Sequence, residues 1–152
     1  DIDLESTSIE LREQASLYIP ISGKTVLFLG NKSALLNNTN ILNNELYLIG
    51  GAKSLRGFDE GEIPCSMYTI GTLEYRFLFQ KNSNIYAFFN GAYYENKAPR
   101  KKITDYPYGF GFGLNIQNKS SIFSISYAIG SQFGNTLKIN TAKIHFGYTN
   151  KF

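Results

Sequence analysis

The chain has 152 residues, enough for one domain by length. Tyr (11), Phe (12) and Gly (14) are abundant, Trp is absent, and Cys65 is the only cysteine; this favours strands over helices and excludes an internal disulfide or a four-cysteine zinc site. The net charge of +3 comes from scattered Lys and Arg rather than a basic face, so no nucleic-acid surface is indicated, and no run of about 18 apolar residues supplies a transmembrane helix. With Asp1 in place of a starting Met and no signal-peptide pattern, the chain is expected to be a mature or trimmed product, or a piece of something longer.

Period-two alternation runs through most of the sequence. Over residues 8–20, Ile9, Leu11, Ala15, Leu17 and Ile19 share one face, while Glu10, Arg12, Gln14 and Ser16 take the other. Ser22-Gly23-Lys24 supplies a tight turn into a second strand over residues 25–36, whose parity is blurred by Val26-Leu27-Phe28-Leu29. A long connection follows at about 37–63, and loops beyond about 15 residues in a compact domain are usually functional or disordered. It contains Gly50-Gly51-Ala52-Lys53-Ser54-Leu55-Arg56-Gly57-Phe58-Asp59-Glu60, which does not alternate and carries paired glycines, one arginine and two carboxylates.

Beyond Cys65 the alternation sharpens. Leu73, Tyr75, Phe77 and Phe79 oppose Thr72, Glu74 and Arg76 in a third strand. Residues 81–84 turn into a fourth strand at 85–95, aromatic on both faces with Asn90 in its middle, and residues 96–106 form a charged loop. In the fifth strand Tyr108, Phe110, Phe112, Leu114 and Ile116 alternate with Gly109, Gly111, Gly113 and Asn115. In the sixth, Phe123, Ile125, Tyr127 and Ile129 alternate with Ser124, Ser126, Ala128 and Gly130. The seventh sets Ile144, Phe146, Tyr148 and Phe152 against Lys143, His145, Gly147, Thr149 and Lys151.

A densely aromatic face backed by a small, polar one fits an antiparallel transmembrane β-barrel, with the aromatic side toward lipid and the small polar side toward a lumen. Strands of about 9–13 residues suit a tilted bilayer span, and the connections alternate short (22–24, 81–84, 118–120) and long (37–64, 96–106, 131–138). A soluble β-sandwich or lipocalin-like binding barrel is the alternative. About seven strands are counted, whereas single-chain outer-membrane barrels have an even number from eight upward. The chain is therefore expected to be part of a larger closed barrel, or to hold one strand more.

No catalytic, cofactor-binding or metal-binding residue is assigned. His145 is the only histidine and falls among polar-face residues, no Ser or Cys has a nucleophile's context, and Gly109-x-Gly111-x-Gly113 has the spacing of a strand face rather than of a phosphate loop.

Four features in order, Gly50-Gly51 through Leu55-Arg56-Gly57-Phe58, Gly71-Thr72-Leu73-Glu74-Tyr75-Arg76, Phe88-Phe89-Asn90-Gly91-Ala92 and a last strand ending in Phe152, resemble the C-terminal barrel of BamA/TamA-type outer-membrane assembly proteins, the bacterial surface antigen family. Their style is similar to members from Bacteroidetes. The resemblance covers essentially the whole chain and implies the last seven strands of a sixteen-stranded barrel, within the even-numbered range. It implies that the Arg56 loop folds back into the lumen, with Gly50, Gly51, Gly57 and Phe58 shaping it. Arg56 would meet inward carboxylates on the next two strands, of which Glu74 is one. Asn90 stands where the family's pattern has an aspartate, and Ala92 where it has a glycine; a local pairing of Asp59 or Glu60 with Arg56 or Lys53 stays open. The final strand, with Ile144, Phe146, Gly147, Tyr148 and Phe152, would be the terminal β-signal and one side of a lateral gate.

The implied function is assembly and insertion of outer-membrane proteins in the bacterial outer membrane, without chemical catalysis. Expected partners are outer-membrane lipids, unfolded outer-membrane proteins and accessory lipoproteins, with no nucleic acid and no cofactor. The alternatives are the barrel of a patatin-linked or secretion-pore relative, or the soluble binding barrel.

Overall fold

The computed structural model describes residues 8–38, 41–98 and 102–150. Seven long strands carry the architecture: β1 (Ile9–Ser22), β2 (Thr25–Asn37), β5 (Met67–Gln80), β6 (Ser83–Asn96), β8 (Tyr108–Gln117), β9 (Ser121–Ser131) and β10 (Lys143–Asn150). Each pairs antiparallel with the next, in the order β1-β2-β5-β6-β8-β9-β10. Three short strands complete the set. β3 (Tyr47–Ile49) and β4 (Ile63–Cys65) pair with each other at the base of the long loop, and β7 (Ile103–Asp105) extends the top of β6.

The fold is all-β, and the seven long strands match those expected from the alternation. Sequence reading missed the short ones, because three residues are too few to show a period. Cys65, beyond which the alternation sharpens, ends β4, and the third long strand begins at Met67. The charged loop at 96–106 is shortened by β7. Phe152 lies outside the described residues.

Register converts alternation into a layered inner wall. One row of paired residues crosses the sheet as Tyr18, Phe28, Glu74, Phe88, Gly111, Ala128 and Lys143. The row toward the long loops reads Ser16, Gly30, Thr72, Asn90, Gly109 and Gly130, and the row toward the short turns reads Pro20, Val26, Arg76, Tyr86, Gly113, Ser126 and His145. Because side chains alternate across the pleat, all three rows face one side. On β5 and β6 these rows are bulky or charged; on β8 and β9 they are glycine, alanine and serine. The wall is thus thick on one side and recessed on the other.

The opposite surface is apolar and exposed. Phe112 is 63% exposed and Phe146 67%, with Leu73, Tyr75, Phe77, Phe79, Phe89 and Phe110 on the same side. Rings stack across strands there, Phe112 on Tyr127 at 5.5 Å and Phe89 on Tyr108 at 6.3 Å. Near the long-loop end the surface changes character. Tyr93 and Tyr106 pair at 5.0 Å, and beyond them Glu95 meets Lys102 at 2.7 Å. An apolar band capped by tyrosines and then by charges is the profile of a wall facing lipid.

The buried core is not between two sheets. It lies between the long loop and the inner wall: Ile49, Leu55, Phe58, Ile63 and Cys65 from the loop pack on Ala34, Tyr68, Ile70 and Tyr94. Burial among these groups pushes the Cys65 thiol up to about 12, so it stays protonated. β1 and β10 are not paired with each other, and the sheet has two open edges. In hydrocarbon each unpaired backbone group costs several kcal/mol, so both edges require a strand partner in the membrane.

The inside–outside assignment is checked by single cysteines in a Cys65→Ala background of the membrane-inserted protein. A fluorophore placed at Phe112 or Phe123 is expected to be quenched by brominated lipid chains. One placed at Asn115 or Ser124 is expected to be quenched only by a water-soluble agent, and the reverse pattern would invert the wall.

Candidate functional site

The loop between β2 and β5 is built to turn back on itself. Gly50 and Gly51 have φ of 118° and 94°, a region that residues with a side chain rarely occupy. Ser54 closes the turn: its Oγ accepts from the Gly50 N–H at 2.9 Å and donates to the Gly50 carbonyl at 2.8 Å, while the Gly51 N–H donates to the Leu55 carbonyl at 3.1 Å. The β3–β4 pairing clamps the base, matching Tyr47 with Cys65 and Ile49 with Ile63. Leu55 and Phe58 are drawn into the core, and Arg56 between them is carried inward with them.

Arg56 is 7% exposed, and three kinds of contact satisfy it. Nη2 lies 2.7 Å from Glu74 Oε1 on β5, and Nε donates to Asn90 Oδ1 on β6 at 2.9 Å. The guanidinium lies over the Phe88 ring, 3.7 Å from its centroid, with Tyr86 at 5.7 Å. Glu74 is shared: its Oε2 takes Arg76 Nη2 at 2.6 Å and Nε at 2.8 Å. Asn90 is fully buried and held in turn, its Nδ2 donating to Thr72 Oγ1 at 2.7 Å. Charge-assisted hydrogen bonds of this kind are about twice as strong as neutral ones, and a charge buried this deeply is tolerated only when so paired.

Of the partners expected for Arg56, the structure brings together both Glu74 and Asn90. The amide keeps the geometry of the missing carboxylate but not its charge. Asp59 does not pair with Arg56; its Oδ2 lies 2.7 Å from Lys143 Nζ on β10. Ala92, the other departure, packs beside the core.

Beyond Arg56 the loop backbone settles into the recess of β8 and β9. A Cβ on Gly109 would overlap the Arg56 carbonyl oxygen, and one on Gly130 would come within 2.7 Å of the Gly57 carbonyl oxygen and the Phe58 ring. Gly57 itself has φ of 101°, and a Cβ there would sit 2.7 Å from the Gly130 nitrogen. The Gly57 N–H points across to β10 and donates to His145 Nε2 at 3.3 Å. One loop therefore touches β5, β6, β8, β9 and β10.

Several of these residues escape sequence reasoning. The spacing of Gly109 and Gly130 signals a strand face but not the backbone laid against it. Arg76 is visible as an inward residue two positions from Glu74, yet nothing in the sequence marks Glu74 as shared between it and Arg56. The roles of Thr72, Lys143 and His145 depend on cross-strand register. Among the described residues, no three His, Cys, Asp or Glu side chains come together as a metal site would require.

A model of the Omp85 superfamily domain matches residues 4–152. The chain belongs to the Omp85 superfamily. Its members are outer-membrane β-barrels concerned with protein assembly and transport, and the lipid-facing band and strand pattern of this chain conform to that architecture. No individual curated protein matches the chain.

Arg56→Met is expected to lower the unfolding free energy of the membrane-inserted protein by about 3–5 kcal/mol in urea titrations, since it leaves Glu74 and Asn90 buried with one partner fewer. Arg56→Glu combined with Glu74→Arg is expected to recover only part of the loss of the single changes, because the relocated guanidinium would face Arg76. A double variant no better than the sum of the singles would show that Arg56 and Glu74 are not coupled.

Proposed function

We propose that this protein is a BamA/TamA-type assembly factor that inserts outer-membrane proteins through a lateral gate, one side of which is β10. The observation that carries this reading is the state of β10. It is the shortest of the long strands at 8 residues, its outer edge is unpaired, and the loop holds it from inside through Gly57–His145 and Asp59–Lys143.

Such a strand suits reversible pairing. A strand end gains little from eight residues of ladder, and Gly147 weakens it further by leaving a gap in the side-chain row. Packing does not demand that glycine: a Cβ there would meet only the Ser124 side chain, at 3.4 Å. Its value is a bend that a bulkier residue would resist. The edge then offers N–H and C=O groups to an incoming strand, which pairs by β-augmentation while its apolar face enters lipid. Unfolded outer-membrane proteins are the substrates in this scheme, outer-membrane lipids surround the apolar band, and accessory lipoproteins are further partners.

The brace keeps the wall rigid behind the moving edge. Arg56 anchors the loop to β5 and β6, where the ladder is long, and the loop restrains β10 from there. Gate opening then costs one exposed ion pair, one part-buried hydrogen bond and a short ladder rather than the buried arginine site.

Proteoliposomes carrying the full-length protein are expected to accelerate the folding of a urea-denatured outer-membrane barrel about tenfold over empty liposomes, and Gly147→Val is expected to remove most of that gain while leaving the protein folded. Export of a soluble polypeptide with no acceleration of barrel folding would assign a secretion pore instead.

A further inference from the structure

The space beneath the tip of the braced loop is a lumenal cavity of about 240 Å³ bounded by β1, β2, β5 and the loop. Its wall brings together Lys32 of β2, Lys53 and Arg56 of the loop, and Arg76 of β5, with Glu74 as the one acidic lining residue. Four cations thus face one carboxylate. Both oxygens of that carboxylate are already engaged, one by Arg56 and the other by Arg76. Among the described residues, Lys32 and Lys53 have no ion-pair partner.

The other side-chain partner of Arg56, Asn90, is a neutral amide committed to Arg56 and Thr72 and adds no charge. The Arg56–Glu74–Arg76 triad therefore carries a net positive charge in a buried site. Burial raises the cost of that excess, because the surrounding wall screens it less than water would. Lys32 is half-buried and faces the same space, so the excess is not confined to the triad.

We infer that this cavity is an anion site, taking a carboxylate or an oxyanion of phosphate size between Lys32 and Lys53 and the two arginines. The volume accommodates such a group with several waters at about 30 Å³ each. Both lysines present rotatable ammonium donors, which suit a ligand approached from above. The arginines, fixed by Glu74 and by the Phe28 and Phe88 rings, supply the floor. The anion has two sources of the same chemistry: a free oxyanion from the medium, or an acidic side chain from elsewhere in the same barrel reaching across the lumen. The site rests on the inward placement of these residues and not on the proposed assembly role.

Thermal unfolding of the full-length protein in detergent, followed by its heat-dependent shift in electrophoretic mobility, tests this with inorganic phosphate against chloride at equal ionic strength and pH. A free oxyanion is expected to raise Tm by several degrees over chloride and to saturate. That gain is expected to vanish in Lys32→Met/Lys53→Met and to shrink in Asn90→Asp, which sets a carboxylate against Arg56 and cancels part of the excess charge. If phosphate and chloride behave alike while Lys32→Met/Lys53→Met lowers Tm, the anion is an internal carboxylate. The site is overturned if phosphate has no advantage and the lysine variant is as stable as the wild type or more so. It is equally overturned if the phosphate gain persists undiminished in that variant. Folding of the variants is read independently from their circular dichroism.

Discussion

The architecture depends on a single buried charge having somewhere to go. Arg56 sits in a loop that would otherwise project from the barrel, and its guanidinium can be buried only where Glu74, Asn90 and the Phe88 ring meet it together. No one of these contacts would repay the desolvation of an arginine. Their combination does, and it selects one position for the loop along the wall, because Glu74 and Asn90 lie on adjacent strands in adjacent rows. Once Arg56 is placed, Leu55 and Phe58 on either side are committed to the core, and the Gly57 backbone is committed to the recess.

The two halves of the inner wall answer different needs. β5 and β6 supply charge and aromatic surface, which hold the loop by directed contacts. β8 and β9 supply the absence of side chains, which lets a backbone lie flush against them. This division explains why glycine recurs at every other position of β8. Glycine is unfavourable within a strand by roughly 0.5–1 kcal/mol relative to alanine, so three of them in one strand need a compensating gain. For Gly109 it is the Arg56 carbonyl seated over it, and for Gly113 it is the Tyr86 ring, which covers the gap from the neighbouring strand.

Much of this was legible from residues alone. Alternation placed Glu74 and His145 on the inner face, because a strand's parity needs only a few residues to establish, while Asn90, in a strand aromatic on both faces, was reached through the family resemblance. The position and inward course of the loop came from the ordered glycine and arginine motifs that resemble a known family. What could not be read were relations between strands. Which inward residues stand side by side follows from register, and register is set by turn geometry at Pro20–Ser22 and Leu78–Gln80, where the pairing shifts. The place of Lys143 in the same row as Glu74, where Asp59 meets it, is a consequence of that register, whereas Arg76 reaches Glu74 from two residues along the same strand. The short strands β3, β4 and β7 were invisible for a simpler reason, since three residues carry no periodic signal.

The direction of the chain adds something to the docked loop. Every wall residue that grips the loop tip, Glu74, Asn90, Gly109, Gly130, Lys143 and His145, follows Arg56 in the sequence. Apart from the β2 surface at Ala34, the loop is therefore delivered before the wall that receives it. Arg56 cannot seat until β5 and β6 are in register, so its seating marks a wall built at least that far, and an arginine left in water marks an unfinished one.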